Sequence, residues 1–336
     1  MTPDRMCIAR PAAWLLALVV LLGTGPWARS LSGQQPQSAS DALDTVEIRP
    51  NIFVIFGAGG NVVVQVGPDG AVVVDTGTAA MADKLLAAIK ALTPKPIRYI
   101  FNTSADIDHV GGNEKLAAAG VAYNNNTQFT GAAVADVVAR EEVLLRMSAP
   151  TGEQSPFTAS SWPTDTFTMN TKSMYVNGEG VQAVHQPNAH SDGDSIVFFR
   201  RADVIVAGDI LDLRRFPVID RERGGSIQGE IAALNRLLVL AIPAMPLVWR
   251  EERTVIVPGH GRVADHSELV DYRDMITIVR DIIQSAIDKG RTLEQIKAAN
   301  PTAGFRARYG SDTGSWTTDM FVEAVYQDLI NAQRKS

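Results

Sequence analysis

The chain has 336 residues, of which 46% are hydrophobic and 20% are charged, and its formal net charge is −6. This length and apolar content suffice for one large or two modest domains with a sizeable core, and they exclude a disordered or collagen-like chain. The excess of acidic residues disfavours a general nucleic-acid binder, so we expect no nucleic-acid partner. The single cysteine, Cys7, excludes an internal disulfide framework and a cysteine-rich zinc module.

Residues 1–30 have the pattern of a secretory signal peptide. A basic start precedes an apolar run over 12–22, and residues 28–30 (Ala-Arg-Ser) fit a small-x-small cleavage site. The apolar run is shorter than the roughly 20 residues that span a bilayer, so we expect cleavage rather than an uncleaved anchor. The mature protein would be periplasmic or secreted without stable membrane insertion, and residues 31–45 would form a flexible lead-in.

Short β-branched runs separated by turns open the body of the chain and predict a strand meander. A helix that ends at Pro94 and a further strand follow. Helical material is expected over 114–147 and a loop over 148–163. The predicted strands of this half are 46–49, 52–56, 62–66, 71–74 and 97–101, and the predicted helix is 81–92.

A second β-rich half begins near Thr166 and ends in helices. Thr292 with Gln295 forms a capping-box pattern, and Gly290 suits the end of the helix before it. Two halves of strands followed by helices predict an α/β fold, a sandwich of sheets flanked by helices. The predicted strands of this half are 173–176, 181–185, 195–199, 204–207 and 255–257, and the predicted helices are 226–241, 266–289, one starting at 292, and 316–333.

Polar residues cluster at the ends of the predicted strands. Loops in such places, held by a rigid scaffold, are where sites are usually built. Five polar segments follow one another along the chain, and their order is more informative than any one of them. The segments are residues 75–77 (DTG), 102–113 (NTSADIDHVGGN), 190–194 (HSDGD), 207–209 (AGD) and 258–261 (PGHG).

This order of motifs resembles the metallo-β-lactamase superfamily over about residues 46–266. The family carries Thr-His-x-His-x-Asp-His-x-Gly-Gly after a strand, then a lone histidine, a Gly-Asp and a Gly-His-Gly. The chain has the last part of the first motif, but Ser104 and Asp106 stand where the family has its first two histidines. The resemblance implies an αββα sandwich of two mixed sheets over 46–266, with residues 267–336 as a helical extension packed on it.

The resemblance also implies a metal centre with one of its two sites intact. The intact site would consist of Asp108, His109, Asp209 and His260. Two imidazoles and two carboxylates make a suitable zinc shell. The other site would keep only His190, Asp209 and Asp106, and such an oxygen-rich set favours harder ions or weak occupancy. We therefore expect one firm zinc, or another divalent metal in its place, beside a second site that is weak or absent.

Other residues receive supporting or catalytic roles from the resemblance. Asp75 would support the metal loops, and Ser104 would stand beside the ligands because a hydroxyl is a poor zinc ligand. Asp106 lies near the expected nucleophile, where it could act as a base, while Asp108 and Asp209 would hold the reacting metal and water.

Residues outside the family motifs leave alternatives open. His185 and His266 match no family position, so we interpret them as ordinary core or surface histidines. The loop after Asp209 carries four arginines and is either a solvated basic loop or a clamp for an anionic substrate. The four are Arg214, Arg215, Arg221 and Arg223. Arg214 and Arg215 are the candidates for such a clamp.

The function that the resemblance implies is an exported metallo-hydrolase acting on a small molecule. A metal-bound hydroxide would attack an ester, a thioester or a lactam. The alternative is a degenerate member with one structural metal that binds a small molecule or a protein, which the two missing histidines favour. Retention of the other ligand positions favours the enzyme. An iron-dependent redox or sulfur-transfer member is disfavoured because no cysteine follows the signal peptide.

Overall fold

The structure is a computed structural model in which residues 42–123, 134–149, 155–244 and 253–335 are described. The predicted signal peptide, Cys7 and most of the predicted lead-in lie outside these residues. All of the described residues fall within one unit of the chain, 40–336. Among the helices in these ranges, none is long and apolar enough to cross a membrane.

Seven strands rich in valine and isoleucine form the first sheet, in chain order from β1 to β7. The first four are an antiparallel meander, as the turns in the sequence predict, and the last four are parallel. The strands are Asp44–Arg49 (β1), Ile52–Ala58 (β2), Gly60–Gly67 (β3), Gly70–Val74 (β4), Ile97–Phe101 (β5), Asp136–Arg140 (β6) and Asp165–Phe167 (β7).

Five strands form the second sheet, in the order β12-β11-β10-β9-β8. All neighbours are antiparallel except β11 and β12, which are parallel. The strands are Thr171–Val176 (β8), Glu179–His185 (β9), Ser195–Phe199 (β10), Val204–Asp212 (β11) and Val255–His260 (β12).

Two of the C-terminal helices begin at capping residues. Asp265 caps the helix that starts at His266 by accepting two backbone N–H groups, and Thr292 and Gln295 form the predicted capping box. The helices are Ala82–Leu92 (α1), Ile107–Val110 (α2), Asn113–Ala118 (α3), Glu141–Ser148 (α4), Ile227–Leu240 (α5), His266–Asp288 (α6), Leu293–Ala298 (α7), Arg306–Tyr309 (α8) and Thr318–Lys335 (α9).

The two sheets pack face to face, and helices cover both outer faces. Buried side chains such as Val74 of the first sheet and Val206 of the second share one core between the sheets. Helices α1 and α3 share a core with the first sheet. Helices α5, α6 and α9 share a core with the second, to which Tyr272 and Phe321 contribute. This layering confirms the predicted αββα sandwich with additional C-terminal helices.

Strands β6 and β1 differ from the sequence-based prediction. β6 interrupts the stretch 114–147, for which the sequence predicts helix, whereas β7 starts at Asp165, in agreement with the expected start near Thr166. A short apolar run such as Val137–Val138 in β6 has no period that separates a buried parallel strand from a helix. In the structure it pairs with β5 and is buried. β1 also begins at Asp44, within the predicted lead-in.

Candidate metal centre

The polar segments meet at one end of the sandwich because of the strand directions. The carboxyl ends of the parallel strands β4 and β5 lie at the same edge, where the Asp75 N–H donates to the carbonyl of Phe101 at 2.7 Å. The Ser195 N–H of the second sheet donates to the carbonyl of Thr103 at 2.9 Å, which connects the two sheets at this end. Asp209 and His260 belong to the parallel strands β11 and β12, rather than to loops after them.

Four side chains form what we call the first cluster: Asp108, His109, His260 and the Oδ1 atom of Asp209. His260 Nε2 lies 3.1 Å from Asp108 Oδ2 and 3.4 Å from Asp209 Oδ1. His109 Nε2 lies 3.2 Å from the same Asp209 oxygen. A tetrahedron with zinc–ligand bonds of about 2.0–2.1 Å has edges of about 3.3 Å, so these separations fit a zinc shell.

Three atoms of the first cluster are buried and form no hydrogen bond within the described residues, although they lie at ion-pair distance from one another. They are His109 Nε2, Asp209 Oδ1 and His260 Nε2. Buried polar atoms nearly always have a partner, and a bound ion is one of the few reasons for an exception. Because the three atoms also converge with Asp108, the residues present fit a divalent cation.

Asp75 holds His109 in the orientation that ligation requires. Its Oδ2 lies 2.7 Å from His109 Nδ1, while its two oxygens accept the backbone N–H and the hydroxyl of Thr103 at 2.8 and 2.7 Å. An Nδ1–H donated to a carboxylate leaves Nε2 free to bind a metal. The predicted supporting role of Asp75 is therefore consistent with its contacts.

Two glycines leave room for the ligands of the first cluster. A Cβ atom on Gly259 would lie 2.6 Å from Asp209 Oδ1, and one on Gly60 would lie 3.2 Å from His109 Cε1. Asn61 beside Gly60 donates to the carbonyls of Pro258 and Gly261 at 2.9 Å each, so it holds the turn that carries His260. The sequence analysis did not identify Asn61. The feature that distinguishes it in the sequence is a polar amide side chain directly before a run of valines.

The second cluster consists of Asp106, His190 and the Oδ2 atom of Asp209. Here protein donors occupy the atoms that a metal would need. Asp106 Oδ2 lies 2.7 Å from His190 Nε2, and its Oδ1 lies 2.5 Å from Nη1 of Arg223. His190 Nδ1 lies 2.8 Å from the carbonyl of Val218, whereas its Nε2 is 4.0 Å from Asp209 Oδ2. A separation of 2.7 Å is that of a hydrogen bond, not of two ligands on one zinc.

The remaining predicted residues fall into two groups. The hydroxyl of buried Ser104 accepts the backbone N–H of Asp106 at 3.2 Å, so it fixes the backbone from which that carboxylate projects. Arg214 and Arg215 both pair with Asp212, at 3.2 and 2.8 Å, and their predicted part in substrate binding stays a prediction. Arg223 of the same loop contacts Asp106 in the second cluster. The sequence analysis did not single it out, because nothing in its spacing distinguishes it from the neighbouring arginines.

Opposing effects of burial and charge set the pKa values in the centre. Burial lowers the pKa of His109, but the carboxylates of Asp209 and Asp75 outweigh it and raise this pKa well above its ordinary value. Burial would raise the pKa of Asp209, yet the surrounding histidines hold it well below its ordinary value. The raised pKa favours a protonated His109 at the place where a cation would bind, so metal uptake would release that proton.

The same two opposing effects, burial and charge, set the pKa of Asp106. Burial raises its pKa, but the hydrogen bond and charge of His190 lower it overall. A carboxylate with a lowered pKa is a weak proton acceptor. Its contacts therefore favour a role in orienting neighbouring groups over the predicted role as a general base.

The fold is an αββα sandwich, and imidazoles and carboxylates converge at its strand ends to form a candidate metal site. The sequence matches the family model of the metallo-beta-lactamase superfamily over residues 56–299, and the chain belongs to this superfamily. The match continues past residue 266, so it also includes the C-terminal helices α6 and α7. No curated protein matches the chain.

Solved structures share the fold at low sequence identity. A metallo-beta-lactamase from Pontibacter korlensis is 18% identical with a TM-score of 0.52, and the match covers 70% of this chain and 99% of that one. The stereoselective inverting sec-alkylsulfatase Pisa1 from Pseudomonas sp. is 16% identical with a TM-score of 0.60, over 85% of this chain and 50% of that one. The DIM-1 metallo-beta-lactamase is 14% identical with a TM-score of 0.51, over 70% and 97%.

Proposed function

We propose that this protein is a hydrolase with one resident zinc ion, held by the first cluster. The observation that carries the proposal is the set of buried, unpartnered atoms of His109, Asp209 and His260 at separations that suit a zinc tetrahedron. A zinc ion in such a place lowers the pKa of water towards about 7 and polarises a carbonyl group.

The protein's own residues would divide the remaining work. Asp75 fixes the tautomer of His109 through the contact at its Nδ1 atom. Asp106, part-exposed beside the ligands and kept ionised by His190, would accept a hydrogen bond from the attacking water and orient it. Arg223 at the more exposed side would donate to a negatively charged substrate oxygen.

The substrate class we propose is a small ester, thioester or lactam. The fold hosts many chemistries, so the choice has to be made by experiment. The structural neighbours include a metallo-beta-lactamase and a sec-alkylsulfatase, so alkyl sulfate esters belong in the same screen.

The test combines metal analysis with this screen on purified protein. We expect about one zinc per chain by elemental analysis, and hydrolysis that a chelator removes and added zinc restores. His109→Ala should abolish both zinc and hydrolysis. His185→Ala is the matched control, because the Nε2 atom of His185 faces the carbonyl of Asp192 instead of the first cluster. Equal zinc content in the two variants would refute the proposal.

A non-catalytic binding protein is the second candidate. The closed second cluster favours it, since Asp106 and His190 have their ligand atoms engaged by protein groups. A zinc-loaded protein that hydrolyses nothing in the screen, but whose melting temperature rises with one of the compounds, would establish this candidate in place of the enzyme.

We also propose export to the periplasm or the medium, on the signal-peptide pattern of residues 1–30. Amino-terminal sequencing of the protein recovered outside the cytoplasm should give a start near Leu31. An intact start at Met1 in the membrane fraction would contradict export with cleavage.

A further inference from the structure

The loop between β11 and α5 brings a fixed positive charge to the second cluster. Nη1 of Arg223 lies 2.5 Å from Asp106 Oδ1, across 117 residues of sequence. Asp220 holds the arginine from the other side: one of its oxygens accepts the Arg223 N–H at 3.0 Å, and the other lies 3.4 Å from Arg223 Nε. The guanidinium is therefore held between two carboxylates.

Backbone hydrogen bonds fix this loop to the segment that carries His190. The N–H of Asp220 donates to the carbonyl of His190 at 2.9 Å, and the N–H of Asp192 donates to the carbonyl of Arg223 at 2.9 Å. Arg146 of α4 donates to that same carbonyl at 2.9 Å and pairs with Asp192 at 2.5 Å. Because these contacts use the backbone of Arg223, its side chain is placed by the fold and does not itself hold the loop together.

The position of the guanidinium conflicts with a metal in the second cluster. Both oxygens of Asp106 are engaged, one by Arg223 and one by His190. A divalent ion bound to Asp106 would have to displace one of them and would then lie within a few ångströms of a like charge. Like charges at such a separation repel each other, and the repulsion from a divalent ion is twice that from a monovalent one.

We propose that Arg223 takes the place of a second metal ion in this centre, an inference that rests on the proposed function. Its guanidinium neutralises Asp106, excludes a second divalent ion and keeps the centre mononuclear. An arginine cannot lose its charge in a protein, so the positive charge is permanent at every working pH. The aspartate at position 106, where the family motif has a histidine, is the partner that holds the arginine there.

The test is the number of divalent ions that the full chain binds. Metal-depleted protein is saturated with Zn²⁺ or with Mn²⁺, freed of excess ion by gel filtration, and subjected to elemental analysis. We expect about one ion in the parent and about two in Arg223→Ala and Arg223→Gln, which free one oxygen of Asp106. Arg223→Lys keeps the charge and should stay at about one. Arg221→Ala is the matched control, because Arg221 is exposed two residues away in the same loop, and it should also stay at about one.

The outcomes separate this inference from the function on which it rests. A parent that binds no ion contradicts the proposed function and this inference with it. One ion in the parent and still one in both neutral variants contradicts the inference alone, as do two ions in the parent. Thermal melting of the variants shows whether they are folded, and Arg223→Gln provides a longer neutral side chain should Arg223→Ala melt early.

Discussion

The two clusters share Asp209 and differ in what their ligand atoms contact. In the first cluster, His109 and His260 point buried nitrogen atoms at a common centre where the described residues offer them no hydrogen-bond partner. In the second, His190 and Asp106 are joined to each other and to Val218 and Arg223. The difference teaches that the aspartate at position 106, where the family motif has a histidine, is paired with a protein cation, Arg223.

The most severe way to break this comparison is to remove an imidazole from the first cluster. His260→Ala should lose the zinc, because one ligand disappears and two carboxylates lose a balancing group. Zinc at about 100 times its dissociation constant adds about 2.7 kcal/mol to the free energy of unfolding, so a loss of that order should follow. Elemental analysis and urea unfolding in the presence of zinc measure both effects.

His266→Ala is the control for this variant. His266 is the first residue of α6, six positions away, and lies outside both clusters. It should keep its zinc and its stability to within about 0.5 kcal/mol. Equal metal content in the two variants would mean that the unpartnered atoms of the first cluster do not bind metal.

A second test of the comparison gives the second cluster imidazole ligands like those of the first cluster. Ser104→His combined with Asp106→His would provide two imidazoles beside His190, and three neutral imidazoles suit zinc with an open position for water. The double variant should bind about one further zinc and should gain hydrolysis of simple lactams or esters over the parent. Adding Arg223→Ala should tighten the second zinc, because the like charge is then gone.

The possible results of this experiment differ in what they refute. Metal content that stays at one, even with Arg223→Ala added, would show that residues 104, 106 and 190 do not converge as the family motif requires. Two ions together with loss of an activity that the parent has would show that Asp106 serves the reaction as it stands, so the chain is a specialised enzyme.

Sequence patterns were sufficient for the sandwich and for the members of both clusters. The short β-branched runs and the capping signals are local, and the order of the five site residues matched a known motif. These residues are Asp108, His109, His190, Asp209 and His260. Contacts between loops are not local. Nothing near Arg223 encodes that its loop is bound to the backbone around His190, and β6 was missed because a buried parallel strand has no distinctive period. The sequence therefore did not predict which charged side chains from different loops form contacts, such as Arg223 with Asp106.

A buried carboxyl group that the sequence did not single out lies close enough to the second cluster to respond to its charges. Glu230 of α5 is fully buried, and both of its oxygens are without a hydrogen-bond partner in the described part of the chain. Burial raises its pKa well above the ordinary value of 4.5. Asp194 and Asp209 raise it further, while His190 lowers it. The folded protein thus favours the protonated form of Glu230.

The last test uses this residue to sharpen the comparison, and its readout is stability alone. Below about pH 4.5 Glu230 is protonated in both states and has no influence on stability. As the pH rises, the unfolded chain loses the proton first. The free energy of unfolding therefore falls by about 1.4 kcal/mol for each pH unit, until the pH passes the pKa of the folded state. Glu230→Gln should lack this fall, and its stability relative to the parent should increase between pH 4.5 and 7.5.

Urea unfolding of the metal-depleted proteins at those two pH values measures the difference. Glu222→Gln, at an exposed position in the loop of Arg223, is the control and should change by the same amount as the parent. If Glu230→Gln and the parent lose stability in parallel, Glu230 is not held protonated in the folded protein. If they diverge, the folded protein holds Glu230 protonated, chiefly through its burial and further through Asp194 and Asp209, against the opposing charge of His190.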